Sequence, residues 1–125
     1  MAKIFLDTNF YIDIIKKRND RDLESFQGHE LFISPLSIHI LAYVYKYKIP
    51  SIELDVNKEL FNLVSFDNTI NENALIGPTN DFEDNVQLHS AAVAECDLFL
   101  TEDEELLDMK FFGKVKIINS LLVTK

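Results

Sequence analysis

Three short runs of this chain end an apolar stretch, or open a helix, with acidic side chains. They are Lys3-Ile4-Phe5-Leu6-Asp7-Thr8-Asn9, Asp81-Phe82-Glu83-Asp84-Asn85 and Leu98-Phe99-Leu100-Thr101-Glu102-Asp103. If the apolar runs are neighbouring parallel strands, these carboxylates converge on one edge of a sheet. Converging carboxylates repel one another unless a cation sits between them, so the pattern points to a divalent-metal site and hence to phosphate chemistry.

Apolar runs bounded by turn chemistry alternate along the chain with segments of helical spacing, the mark of parallel α/β architecture. Strands are expected at Lys3 to Leu6, Leu31 to Ile33, Val64 to Phe66, Leu98 to Leu100 and Lys114 to Ile118. Helices are expected over Asn9 to Lys17, Leu36 to Tyr47, Ser51 to Leu63, Asn68 to Leu75, Asp81 to Ala94 and Asp103 to Leu107. Ser34-Pro35 opens the second of these, since Ser caps well and Pro is tolerated at the first helical position. That helix is apolar almost all round, which implies deep burial or an interface, and Tyr43, Tyr45 and Tyr47 cannot all face one core.

The 125 residues form a single domain spanning 1–125, long enough to bury a substantial core that ten Phe and no Trp make Phe- and Leu-rich. No apolar run reaches the roughly 20 residues that cross a bilayer, and no signal-peptide layout precedes the first strand, so a cytoplasmic protein is expected. Cys96 has no partner for a disulfide or zinc site and reads as a small packing residue. The formal charge of −9 withholds the counterion-release drive that underlies generic nucleic-acid binding. Any polyanionic substrate must therefore be held locally, by metal or by a few cations.

Taken singly, each acidic run has a plain structural explanation, because Asp, Thr and Asn are preferred helix caps. Taken together they gain weight. Ligands of open parallel sheets bind at the carboxyl ends of strands, where helix N-termini also lie, and Asp7, Asp84 and Asp103 all fall at that edge. Asp81 and Asp84, at i and i+3, share a helix face.

In order and spacing, these three motifs resemble the PIN domain, a family of small metal-dependent ribonucleases, many of whose bacterial members are VapC-like toxins of toxin-antitoxin pairs. The resemblance runs from Lys3 to about Asn119. It implies a three-layer α/β/α fold whose central twisted parallel sheet has strand order 3-2-1-4-5 and is flanked by helices. It also implies that Asp7, Asp84 and Asp103 are the catalytic, metal-binding acids for Mg²⁺ or Mn²⁺, with Asn9 and Thr101 orienting them. The metal-bound cluster would activate water against an RNA phosphodiester.

The family usually carries a further acid, a Glu, in the helix after the second strand. Here that position is Ile40, and no Asp or Glu occurs between Leu31 and Ile52. His39 lies one position away, roughly 100° round a helix, and reads as a packed or surface histidine. Asp81, Glu83, Glu102 or Glu104 could compensate, with Asp81 favoured because it shares a face with Asp84.

Lys16, Lys17 and Arg18, with Arg21 nearby, form the densest basic cluster. They read as a solvated helix end or as contacts to RNA backbone beside the acids. The leading expectation is a metal-dependent endoribonuclease with RNA as substrate, an antitoxin as partner and a homodimer as a further option. The alternative is a weakened PIN-like domain that binds RNA or protein without cutting. A phospho-acceptor or phosphatase domain is disfavoured, because no second Asp lies two residues after Asp7.

Overall fold

In the computed structural model, which describes residues 1–121, the sheet grows outward from β1 (Lys3–Leu6). β2 (Glu30–Ile33) and β4 (Leu98–Leu100) flank it in parallel, setting Phe5 beside Phe32 on one side and Phe99 on the other. β3 (Asn62–Leu63) extends the sheet beyond β2, and β6 (Val115–Ile118) beyond β4, both parallel. A two-residue strand, β5 (Phe111–Phe112), pairs antiparallel with β6, giving the order β3-β2-β1-β4-β6-β5.

The five parallel strands keep the expected 3-2-1-4-5 order. The sixth strand is the departure: a tight turn with Gly113 at φ +61 folds Phe111 and Phe112 back onto β6. Two residues are too few for a periodic signal in the sequence.

Helices cover both faces, as the alternation within each strand demands. Ile4, Leu6, Leu31, Ile33, Leu100 and Ile118 face a core shared with Phe10, Tyr11 and Ile14 of α1 (Thr8–Lys16) and Leu41 of α2 (Pro35–Val44). Phe5, Phe99, Val115 and Ile117 face the opposite core. There they meet Ile70 and Ala74 of α5 (Asn68–Ile76), Val86 and Leu88 of α6 (Phe82–Val93) and Leu106 of α7 (Glu104–Met109). The Phe5 and Phe99 rings stack across adjacent strands at 5.5 Å. Cys96 is buried in this second core, and burial pushes its thiol up to about 12, which suits a packing residue.

Between α2 and β3 the sequence suggests one helix and the structure has two single turns, α3 (Ile52–Asp55) and α4 (Asn57–Leu60). Asn57 accounts for the break. Its buried amide donates to the carbonyls of Glu53 and Leu54, and its Oδ1 accepts from the Tyr11 hydroxyl at 2.9 Å. The following strand is Asn62–Leu63 rather than Val64 to Phe66, although the Val64 N–H still bonds to the Ile33 carbonyl. A 3₁₀ turn at Leu23–Phe26, not expected from periodicity, leads into β2. Among the described residues, no helix is long and apolar enough to cross a membrane.

Candidate active site

Parallel pairing aligns the carboxyl ends of β1 and β4, so the residues that follow Leu6 and Leu100 emerge side by side. Asp7 follows the first and Thr101 the second. The two meet directly: Thr101 Oγ1 donates to Asp7 Oδ2 at 2.6 Å, both side chains being buried. Asp7 stands at the N-cap of α1, yet its side chain caps nothing. Burial is the main cause that raises its pKa, opposed by hydrogen bonding to Thr101, the Thr8 backbone and Gln87.

The other two runs do use acids as caps. Asp81 Oδ1 accepts from the Asp84 N–H at 2.9 Å and starts α6. Asp103 Oδ1 accepts from the N–H groups of Glu105 and Leu106 and starts α7, while the Asp103 N–H bonds to Thr101 Oγ1. Thr101 thus joins Asp7 to the Asp103 loop. Asp84 lies in the first turn of α6, where its carboxylate serves as no cap.

The start of α6 is positioned by a buried polar knot that sequence patterning did not reveal. Asn85 Nδ2 donates to the carbonyls of Ala74 and Thr79, and its Oδ1 accepts from the Thr79 N–H and hydroxyl. The loop between α5 and α6 is thereby fixed to the helix that carries the acids. Gln87, one turn on from Asp84, accepts from the Thr8 N–H at 2.8 Å and ties α6 to α1. Its spacing from Asp84 on one helix face was the available signal.

These elements enclose an open cleft of about 340 Å³ lined by Asp7, Asn9, Asp81, Glu83, Asp84, Glu102 and Asp103. All three expected ligand positions, together with Asn9 and Asp81, lie on it, and Thr101 lies beneath Asp7. The charges are mutually unfavourable. Burial first, then Asp81, Asp7, Asp103 and Glu83, push the Asp84 carboxyl up to about 7.

Glu83 sits deeper than the exposed Asp81 and is the acid that the Thr8 hydroxyl meets; its pKa is raised by burial and then by Asp7. Thr8 Oγ1 in turn shares a buried 2.8 Å hydrogen bond with Ser37 of α2. The second helix therefore contributes a hydroxyl to this region, while Ile40 packs with the first core. His39 is exposed and stacks with Tyr43 on another cavity, in keeping with a surface histidine.

An all-oxygen donor set of this charge suits Mg²⁺ or Mn²⁺, hard cations that keep several waters and need few carboxylates. Among the described residues, however, no three acidic, His or Cys side chains stand close enough together to be grouped around an ion. The convergence on one edge is present and the tighter cluster is not. Asp81 and Asp103 each commit Oδ1 to a helix end.

The basic cluster divides. Lys16 turns away from the cleft, with Nζ 2.6 Å from the Tyr47 hydroxyl and lying over the Tyr45 and Tyr47 rings. Lys17 is the exposed, left-handed C-cap of α1. Arg18 instead pairs with buried Asp13, a residue the sequence did not single out, and donates to the Tyr45 hydroxyl.

A mostly parallel sheet between helix layers, with acids lining the edge where β1, β4 and α6 meet, is a fold shared with solved PIN-domain toxin structures. Similar solved structures include VapBC2 from Rickettsia felis bound to a DNA fragment from its promoter, at TM-score 0.64 and 17% identity, covering 93% of this chain and 97% of that one. VapC20 of Mycobacterium tuberculosis, a toxin that cleaves the sarcin-ricin loop, matches at TM-score 0.64 and 12% identity over 90% of this chain and 98% of its own. FitAB bound to an IR36 DNA fragment matches at TM-score 0.54 and 15% identity, covering 92% and 93%. No family model and no curated protein matches the sequence.

Proposed function

We propose that this chain is a metal-dependent ribonuclease that hydrolyses RNA phosphodiester bonds in the cytoplasm, as the toxin of a toxin-antitoxin pair. The observation that carries the reading is the cleft that Asp7, Asp84 and Asp103 all line, in a fold shared with VapBC2 and VapC20 over at least 90% of the chain. An antitoxin protein is the proposed partner.

In this reading Asp7 and Asp84 hold Mg²⁺ or Mn²⁺, and Asp103 either joins them or orients what they bind. Glu83 supplies the charge that the second helix lacks. It is favoured over Asp81, because Asp81 is exposed and spends one oxygen as a cap. When bound, the cation lowers the pKa of a water and offsets charge developing on the phosphate. Thr101 holds one oxygen of Asp7 and so fixes the direction of the other, while Asn9 lines the mouth as a neutral polar group.

Incubating the purified protein with a mixed RNA panel in Mn²⁺ or Mg²⁺ tests this. Cleavage should disappear with chelator and in Asp7→Asn; no cleavage across the panel argues for the second reading. That second reading, an RNA- or protein-binding PIN-like domain without cutting activity, is favoured by one feature: Ile40 stands where the family's helix acid would be.

A further inference from the structure

An acidic nuclease faces a problem that its acidic cleft makes worse: the substrate is a polyanion and the protein carries −9. The cations beside the cleft then decide where the strand can lie. Arg18 and Arg21 line a second cavity, of about 560 Å³, with Asn9, Asp13, Asn19 and Glu102. Asn9 and Glu102 also line the acidic cleft, so the two cavities share a wall.

Resting on the nuclease reading, we propose that Arg18, braced by Asp13 beside Arg21, grips a backbone phosphate of the RNA strand next to the one presented to the acids. The arrangement is held from below by Asp13, which is only 4% exposed. Asp13 accepts from Arg18 Nε at 3.0 Å, from Arg21 Nη1 at 2.6 Å and from Asn19 Nδ2 at 3.0 Å. Arg21 lies on the Phe10 ring, 3.6 Å from its centroid, and also pairs with Glu102. Both guanidinium planes are therefore set in advance, which lowers the entropy lost on gripping a ligand.

Arg18 is the outward member, with its side chain 47% exposed. Its Nε and Nη2 face Asp13 and its Nη1 donates to the Tyr45 hydroxyl. A guanidinium has about five N–H donors, so some remain for a phosphate oxygen.

The test separates gripping from cutting. Binding of a fluorescent single-stranded RNA is followed by anisotropy in chelator, using Asp7→Asn protein so that neither cleavage nor metal contributes. Arg18→Glu is expected to weaken binding several-fold and to reduce the salt slope by about 0.7, the value for one phosphate contact on a single strand. Lys46→Glu makes the same charge change on a cavity away from the cleft and should lose much less. Equal losses in the two variants, no loss at Arg18, or no binding by the parent would overturn the proposal. Failure of the nuclease reading shows separately, as absence of metal-dependent cleavage by the unmutated protein while the Arg18 dependence of binding persists.

Discussion

Thr101 and Asp7 are 94 positions apart in sequence, and their side chains share a 2.6 Å hydrogen bond at the ends of adjacent strands. A buried carboxylate with one oxygen held by a hydroxyl can neither rotate freely nor recruit water at that oxygen. Thr101→Val keeps the shape and removes the donor. The fold is expected to lose about 1–3 kcal/mol, the usual penalty for orphaning a buried polar group, in urea unfolding at pH 8. Cleavage should fall by more than the unfolded fraction explains, and an unchanged rate would show that Asp7 needs no fixing.

The metal-free protein should become less stable as pH rises. Burial and neighbouring acids raise the folded-state pKa of Asp7, Glu83 and Asp84, the last to about 7. Groups with raised carboxyl pKa values take up protons on folding, so their unfavourable contribution is absent at low pH and grows from about pH 4 to about pH 7. Thermal unfolding in chelator should give a lower midpoint at pH 8 than at pH 5.5, and Asp84→Asn should flatten that difference. Excess Mn²⁺ should raise the pH 8 midpoint of the unmutated protein more than that of the variant.

Asn85→Ala should damage the site without touching it. The substitution removes the amide that joins Ala74, Thr79 and α6, at a cost of about 3 kcal/mol from several buried groups left unpaired. Amide exchange should quicken between residues 77 and 84. Exchange unchanged there would mean that the loop is held by other contacts.

Lys16→Met should leave cleavage unchanged. The Lys16 ammonium is engaged by Tyr47, Glu53 and two aromatic rings rather than offered to RNA. Stability should change by under about 1 kcal/mol, as for other exposed ion pairs. A several-fold loss of RNA cleavage would return Lys16 to the substrate path.

What could be read in advance was set by local chemistry repeated in pattern. Ile4-Phe5-Leu6 and Leu98-Phe99-Leu100 are apolar at every position because both sheet faces are covered, and each is followed by a polar turn. That places Asp7, Thr101 and Asp103 at one edge. The two-residue strand Phe111–Phe112 and the helix break at Asn57 were not legible, since each depends on partners distant in sequence, β6 in one case and Tyr11 in the other. The same holds for Asp13, whose burial follows only once Arg18, Asn19 and Arg21 fold back onto it. Asp81 and Asp103 could have been caps or ligands on sequence grounds; the structure makes both of them caps as well as cleft residues.

The most direct measurement is a Mn²⁺ titration of RNA cleavage, run beside calorimetric Mn²⁺ binding, on the unmutated protein and on Asp84→Asn. Cleavage should rise with metal and saturate where binding saturates, and the variant should need at least about 10-fold more metal, as when a ligand or its close support is lost. Absence of both cleavage and Mn²⁺ binding at millimolar metal, or equal titrations for the two proteins, would contradict the assignment of this cleft as a metal-dependent ribonuclease site.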